Sequence, residues 1–403
     1  MIQTLLRNAF GVGGHYRYER TEYHWGAVHF YLSLEDEALK CPQCRCVDDV
    51  IRKGLRYRWL QSVPIGLKPV YLVSEVARCR CQVCELTFEV HPPFARAQVR
   101  YTHKLQKLAE QLSRLMTLLD VADLTALNWD TVKDIVKRRL RRDYGRVDLK
   151  GVRYLSIDEI YVGKRRGFYT LVMDIQSGRI LWVSQGRGKA GLKGFWPRLR
   201  RSPVRIRAVA MDMSGAYWAA VVAALPEAAV VFDKFHIIQL MNQRLDELRR
   251  ELVREAQGPM KMVIKGTRYL LLTRAANLKE DQLPKLERAL KLNEPLSEAW
   301  YLKEELTLLW EQSSYAQMNR FLTQWCEQAH ETGVRQLQKM AKTLLAHRSG
   351  ILSWWQHPIN NGRMEGTNNK IKTLNRQAYG YRDEEFFILK LLGLHESRYT
   401  LAG

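Results

Sequence analysis

The sequence predicts a multidomain protein of mixed α+β and α/β class, and three observations predict it. Six of the seven cysteines fall between residues 41 and 84, four of them as two C-x-x-C pairs around strand-like residues. Residues 98–148 carry helical periodicity broken by a short turn. Residues 149–236 alternate as strands, then give way to a long, charged, strandless stretch over 237–358 before two helices over 359–403. These breaks divide the chain at 1–97, 98–148, 149–236, 237–358 and 359–403.

The knuckles "CPQC" (41–44) and "CQVC" (81–84) offer four thiolates, Cys41, Cys44, Cys81 and Cys84. Two such turns can close a tetrahedral zinc site. The spacing between them is longer than usual, but "LRYRWL" and "PVYLVSEVAR" supply strands, so a zinc ribbon over 41–90 with an elongated hairpin is expected. Cys46 and Cys79 each lie two residues from a knuckle cysteine and are alternative ligands. Cys326 stands alone on an amphipathic helix and reads as core. Structural zinc, rather than disulfides, is the expected use of this cluster.

In "LLDVADLTALNWDTVKDIVKRRLRR" (118–142) a short helix, a turn at Asn128-Trp129 and a second helix capped by Asp130 have helix-turn-helix spacing. A helix so placed meets bases with its early residues and phosphates with its basic end. Thr131, Lys133 and Asp134 are the expected readers, and Lys137, Arg138, Arg139, Arg141 and Arg142 the expected phosphate contacts. An ordinary helical hairpin with a solvated basic face would share the pattern. The excess of 64 Lys and Arg over 42 Asp and Glu leaves a formal +22, which attracts polyanions. A ribosome-associated or anionic-membrane protein would share that charge, and it is the zinc ribbon beside the helices together with the charge that favours DNA.

A membrane role is not expected. "MIQTLLRNAFGVGG" lacks the apolar core of a signal peptide, and the apolar run 216–225 is about half the length of a bilayer span. A soluble, cytoplasmic protein is expected.

The strand block begins with "VRYLSIDEIYVG", "FYTLVMDIQSG" and "RILWVSQGR", an antiparallel meander. "VRIRAVAMD" then ends at Asp212, followed by helix, strand "AAVVFD" and a long helix. The order β-β-β-α-β-α-β-α is that of a ribonuclease-H-like core. It places Asp158 on the first strand and Asp212 at the end of the fourth, on adjacent strands. Glu365, in "NNGRMEGTNNKIK" (360–372), can reach both from a later helix. Three carboxylates so gathered repel one another unless cations join them. Two Mg²⁺ ions, with Mn²⁺ as substitute, suit oxygen ligands and in-line phosphoryl displacement.

Glu159 points to the opposite sheet face, and Asp174 reads as a turn cap. "GRGKAG" (186–191) fits G-x-G-x-x-G. Hairpin-linked strands precede it, however, and Pro197 interrupts the short basic segment after it, so no dinucleotide site is expected. Arg187 and Lys189, with Lys193, Arg198, Arg200 and Arg201, are expected phosphate contacts, as are Arg363 and Lys370 beside Glu365.

These residues resemble the ISL-three family of insertion-sequence transposases, within the DDE superfamily. The likeness spans nearly the whole chain and rests on "CPQC…CQVC…LTF", "SIDEI", "AVAMDMSGAYWAAV…LPEAAVVFDKFHIIQLMNQRLDELRRE" and "NGRMEGTNNKIKTLNRQAYGYRDEEFF". The resemblance implies Asp158, Asp212 and Glu365 as the catalytic triad and residues 237–358 as an all-α insertion in the core. Asp233-Lys-Phe-His236 matches a D-x-x-H element of related groups, which implies a role for His236 near the scissile phosphate. The expected partners are double-stranded DNA (terminal inverted repeats and target), with a homodimer or larger assembly. Two rivals share the motifs: a DNA-binding regulator with an inactive core, and a metal-dependent nuclease that never joins strands.

Overall fold

Alternating apolar residues build the first sheet, and continuous buried runs such as Ala208–Met211 build the centre of the second. The computed structural model describes residues 2–396, so the expectation of helix beyond 396 lies outside the described residues. The chain divides into two units: Met1–Arg146 with Arg376–Gly403, and Val147–Asn375. Among the described residues, no helix is long and apolar enough to cross a membrane.

In the first unit, β1 (Tyr16–His24), β2 (Ala27–Leu34), β3 (Val50–Ile65), β4 (Lys68–Cys81) and β5 (Thr87–Val90) form one sheet in the order β1-β2-β4-β3, with β5 also on β4. Val28, Phe30, Leu32 and Leu34 of β2 enter the core with Val70 and Leu72 of β4, the period of two expected of a one-sided strand. β1 and β2 were not anticipated. Their turn carries Trp25 at φ 49° and Gly26 at φ 74°, the two positive angles that a two-residue hairpin demands. Trp at the first position hides that signal.

The long spacing between the knuckles follows from β3 and β4. They pair antiparallel from Ile65↔Lys68 back to Val50↔Cys81, which returns Cys81 to the start of the hairpin beside Cys41 and Cys44.

Beside this sheet lie α1 (His103–Leu112), α2 (Leu118–Thr125) and α3 (Trp129–Tyr144). A capping box of Thr117 and Asp120 starts α2. Asn128, not Asp130, caps α3: its Oδ1 accepts the Asp130 N–H at 2.9 Å. Leu105, Val121, Val132, Ile135 and Leu140 form the shared core. The helix Glu384–Leu392 adds Phe386 and Leu389 to that core. It therefore belongs to the first unit rather than to the core's C-terminal helices, because its apolar face completes the helix-turn-helix packing.

In the second unit β6 (Tyr154–Gly163), β7 (Gly167–Asp174) and β8 (Ile180–Gln185) form the expected meander, followed by β9 (Ala208–Met211), α4 (Gly215–Ala224), β10 (Ala229–Phe232) and α5 (Lys234–Glu255). The sheet order is β10-β9-β6-β7-β8. β6, β7 and β8 are antiparallel neighbours, while β9 runs parallel to both β6 and β10. Asp174 caps its turn as expected, accepting the N–H groups of Gln176 and Ser177. Helices from Gly258–Lys265 to Arg348–Leu352 occupy most of 237–358, and their Leu306, Leu322, Trp325 and Met340 share one apolar cluster with Val209 and Phe232 of the sheet. α6 (Gly362–Gln377) comes next.

Gly191 and Gly194 serve packing. A Cβ at Gly191 would lie 2.0 Å from Thr170 Oγ1, and one at Gly194 would lie 2.7 Å from the Trp182 ring. Thr170 cannot give way freely, since its hydroxyl bonds Gly186 O and Tyr217 Oη, both at 2.9 Å. Gly191→Ala is expected to destabilise this unit by about 1–3 kcal/mol through overpacking. The urea midpoint should fall while the slope holds; an unmoved midpoint would show that the contact relaxes.

Candidate active site

Strand pairing sets the two aspartates side by side. β6 and β9 run in register Tyr154↔Ala208, Leu155↔Val209 and Ser156↔Ala210. Two residues further on, the same register aligns Asp158 with Asp212. Burial, reinforced by the Asp212 charge, pushes the Asp158 carboxyl up to about 6. Its Oδ1 accepts the Glu159 N–H at 2.7 Å. Glu159 itself lies on the other face, paired with Arg187 at 2.5 Å and 3.4 Å from Tyr217 Oη.

α6 is fastened to β6 by three asparagines spaced seven residues apart, two helical turns each, which returns them to one helix face. Ser156 Oγ donates to Asn361 Oδ1 at 2.8 Å, Asn368 Nδ2 donates to Asp158 Oδ2 at 2.7 Å, and Asn375 Nδ2 donates to the Val162 carbonyl at 3.4 Å. Asn361 is buried, and Thr367 packs its hydroxyl on Met173 Sδ of β7. Sequence reading missed this ladder, although N-x6-N-x6-N was the signal for it. Glu365 stands on the first turn of α6, exposed; its N–H donates to the Asn361 carbonyl at 2.9 Å, and its carboxylate makes no hydrogen bond or ion pair among the described residues. The carboxylates of Asp158, Asp212 and Glu365 do not bring three ligand atoms within 4.8 Å of one another. The sheet thus gathers two acids, while the third waits one helical turn from Asn368.

His236 completes the group. Asp233 caps α5, accepting the Phe235 N–H, which turns His236 back over the sheet edge. Its Nδ1 lies 2.8 Å from Asp212 Oδ1 and 3.4 Å from Asp233 Oδ2. Burial alone would lower the imidazole, but the two carboxylates outweigh it and raise it to about 10. The 2.8 Å contact is an ion pair without hydrogen-bond alignment, so Asp212 Oδ1 and His236 Nδ1 are both buried and unsatisfied as hydrogen-bonding atoms. Asn368 Oδ1 is a third such atom. Unsatisfied oxygens beside two carboxylates are a donor set that suits a hard divalent cation.

The cysteines gather as the spacing predicted. Cys41, Cys44, Cys81 and Cys84 bring their sulfurs within 4.8 Å of one another. Cys41 and Cys84 approach to 3.4 Å and Cys44 and Cys81 to 3.5 Å, near the edge of about 3.8 Å that four sulfurs 2.3 Å from a zinc ion would span. The Cys84 backbone N–H helps draw the Cys81 thiol down to about 6, toward the thiolate that zinc requires. Cys79 points into the apolar core. Cys46 remains in reach, 3.2 Å from both Cys44 and Cys81.

The basic residues expected at DNA are less free than the sequence suggested. Lys133 and Lys137 both bind Asp383, and Arg141 binds Glu385. Arg139 is only 8% exposed and pairs with Glu396 at 2.8 Å, so it stabilises the unit instead of facing solvent. Arg138 meets Tyr101 Oη, and Arg142 pairs with Asp143. Arg187 is held by Glu159 and stacks 3.8 Å over Phe168. Arg363 donates to the Ile175 and Gln176 carbonyls. Thr131 and Lys370 are half-buried, and Lys189 is exposed.

Residues 155–391 match the model of the ISL3 DDE transposase family, described as a transposase. Residues 90–140 match the helix-turn-helix domain of transposase family ISL3. The chain is 30% identical over 398 residues to the transposase for insertion sequence element IS1001 of Bordetella parapertussis, covering 97% of this chain and 98% of that protein. It is 27% identical over 390 residues to the transposase for IS1557 of Mycobacterium tuberculosis, covering 90% of this chain and 87% of that protein. The chain belongs to the ISL3 (ISL-three) family of insertion-sequence transposases, enzymes that cleave DNA and transfer its strands.

Proposed function

We propose that Asp158, Asp212 and Glu365 form the catalytic triad of a ribonuclease-H-like core that cleaves and joins DNA at the element's terminal inverted repeats. The observation that carries this reading is the parallel register of β6 and β9, which aligns Asp158 with Asp212. The order β10-β9-β6-β7-β8 supports the core type. Divalent metal use follows from the family. Asp158, Asp212 and Glu365 would hold two Mg²⁺ ions, whose chemistry is activation of an attacking oxygen and stabilisation of a leaving one.

The chain's own side chains divide the remaining work. Asn368 orients the Asp158 carboxylate and fixes the helix that carries Glu365. His236, half-buried beside Asp212, offers an imidazole N–H to a phosphate oxygen of the scissile group. The helix-turn-helix and the zinc ribbon recognise the element ends, and a dimer or larger assembly brings two ends together. The chemistry is two displacements at phosphorus. Water attacks first and expels a 3′-oxygen as the free 3′-hydroxyl; that hydroxyl then attacks target phosphate and expels a second 3′-oxygen.

The test uses end-labelled DNA from the element borders with Mg²⁺ or Mn²⁺ and a denaturing gel. Nicks at the boundary with joined products support the reading. Cutting without joining would make the protein a nuclease, and tight binding without cutting a regulator. Asn368→Ala is expected to lower turnover about 10- to 100-fold, the usual cost of losing an outer partner of a metal-binding carboxylate, with unchanged affinity for the ends. Unaltered turnover would reduce Asn368 to a packing residue.

A further inference from the structure

The second unit carries a cleft of about 1020 Å³ at the end of the sheet away from the carboxylates. Its walls come from the residues that lead into β6 and β9, and they include Lys150, Arg153, Arg205 and Arg207. The two strands are already hydrogen-bonded here: the Arg207 N–H donates to the Arg153 carbonyl at 2.8 Å. Carrying the register Tyr154↔Ala208 back one residue pairs Arg153 with Arg207, at the strand spacing of about 4.8 Å.

Like charges set opposite each other on neighbouring strands destabilise a sheet. Proteins usually relieve such a pair with a carboxylate, and this chain does so elsewhere, as at Arg187 with Glu159. Here it does not. All four cations are exposed, and none has a carboxylate within 4.0 Å among the described residues. The cleft's two acids do not cancel the charge: Asp148 accepts the Lys150 N–H at 2.8 Å as a turn cap, and Glu227 is exposed. A concave wall with a net positive excess focuses its field on an incoming anion.

We propose that this cleft is a second DNA-backbone site, engaging duplex phosphates remote from the cleaved bond. It rests on the reading of the protein as one that acts on DNA. Arg153 and Arg207 each lie five residues before the aligned aspartates, about 17 Å along their strands, too far for the scissile phosphate itself to reach. An extended polyanion suits a wide, open cleft rimmed by arginines, and a backbone contact made there secures DNA without reading its sequence.

The test compares the full-length protein with the triple variant Arg153→Gln, Arg205→Gln, Arg207→Gln by fluorescence anisotropy on short duplexes. One duplex carries the element end and one is unrelated, and both are titrated between about 50 and about 200 mM salt. The expected result is a slope of log K against log salt shallower by about two to three, with equal loss on both duplexes. The matching triple Lys variant should restore the slope, which excludes misfolding as the cause. An unchanged slope in a protein that binds DNA normally would overturn the cleft alone. Wild-type protein that binds neither duplex would overturn the DNA reading along with it. Loss confined to the element end would overturn the backbone assignment and make the cleft a sequence reader.

Discussion

Glu365→Gln is expected to abolish cleavage and strand transfer while leaving end binding nearly intact. The substitution keeps the shape of the side chain and removes one charge. The Glu365 carboxylate is exposed and makes no hydrogen bond or ion pair among the described residues, so stability should be unaffected and any loss of activity belongs to chemistry. Removing one of three anionic ligands forfeits several kcal/mol of charge stabilisation at the reacting phosphate. At about 1.4 kcal/mol per tenfold change, turnover should fall about 10³-fold or more. A gel with border DNA and Mn²⁺ reads the cleavage, and anisotropy on the same DNA reads the binding. Retained cleavage would remove Glu365 from the triad. Equal loss of binding would instead place it at the DNA surface.

Much of this site was legible because it depends on strand order and alternation. Asp158 and Asp212 follow from two strand patterns, and Glu159 was assigned to the other face by period alone; its pairing with Arg187 agrees. The four knuckle cysteines followed from two short motifs, and the structure brings all four together. Long-range partners of polar residues stayed hidden. Arg139 read as a phosphate contact because its neighbours are basic, yet Glu396, far along the chain, holds it. The roles of Asn361, Asn368 and Asn375 stayed hidden, because their partners Ser156, Asp158 and Val162 lie on a strand some two hundred residues earlier. The glycines of 186–191 imitate a phosphate-binding fingerprint, and only the positions of Thr170 and Trp182 reveal that packing demands Gly191 and, just beyond it, Gly194. Such pairings are decided by tertiary contact, and no local period reports them.

Cys81→Ser is expected to unfold the ribbon and, through it, to abolish recognition of the element ends. Structural zinc supplies about 10 kcal/mol or more to small metal-bound folds, as much as a whole domain's net stability. The consequence extends beyond the knuckles because β3 braces the helix-turn-helix. Gln61 Nε2 donates to the Thr125 and Ala126 carbonyls at 2.9 and 3.0 Å, at the turn that leads into α3. The Gln61 N–H donates to the Arg100 carbonyl, and its carbonyl accepts the Thr102 N–H. Val63, also on β3, packs against the helix-turn-helix core. A ribbon that loses its zinc releases β3, and α3 then loses the support that fixes its approach to a groove. Metal analysis should find one zinc ion per wild-type chain and none in Cys81→Ser, with end binding reduced to the salt-sensitive, sequence-independent level. Cys79→Ala should keep its zinc, since that side chain belongs to the apolar core. Cys81→Ser protein that retains zinc would make Cys46, 3.2 Å from Cys44, the replacement ligand. Zinc-free protein that still reads the ends would uncouple the ribbon from the helix-turn-helix.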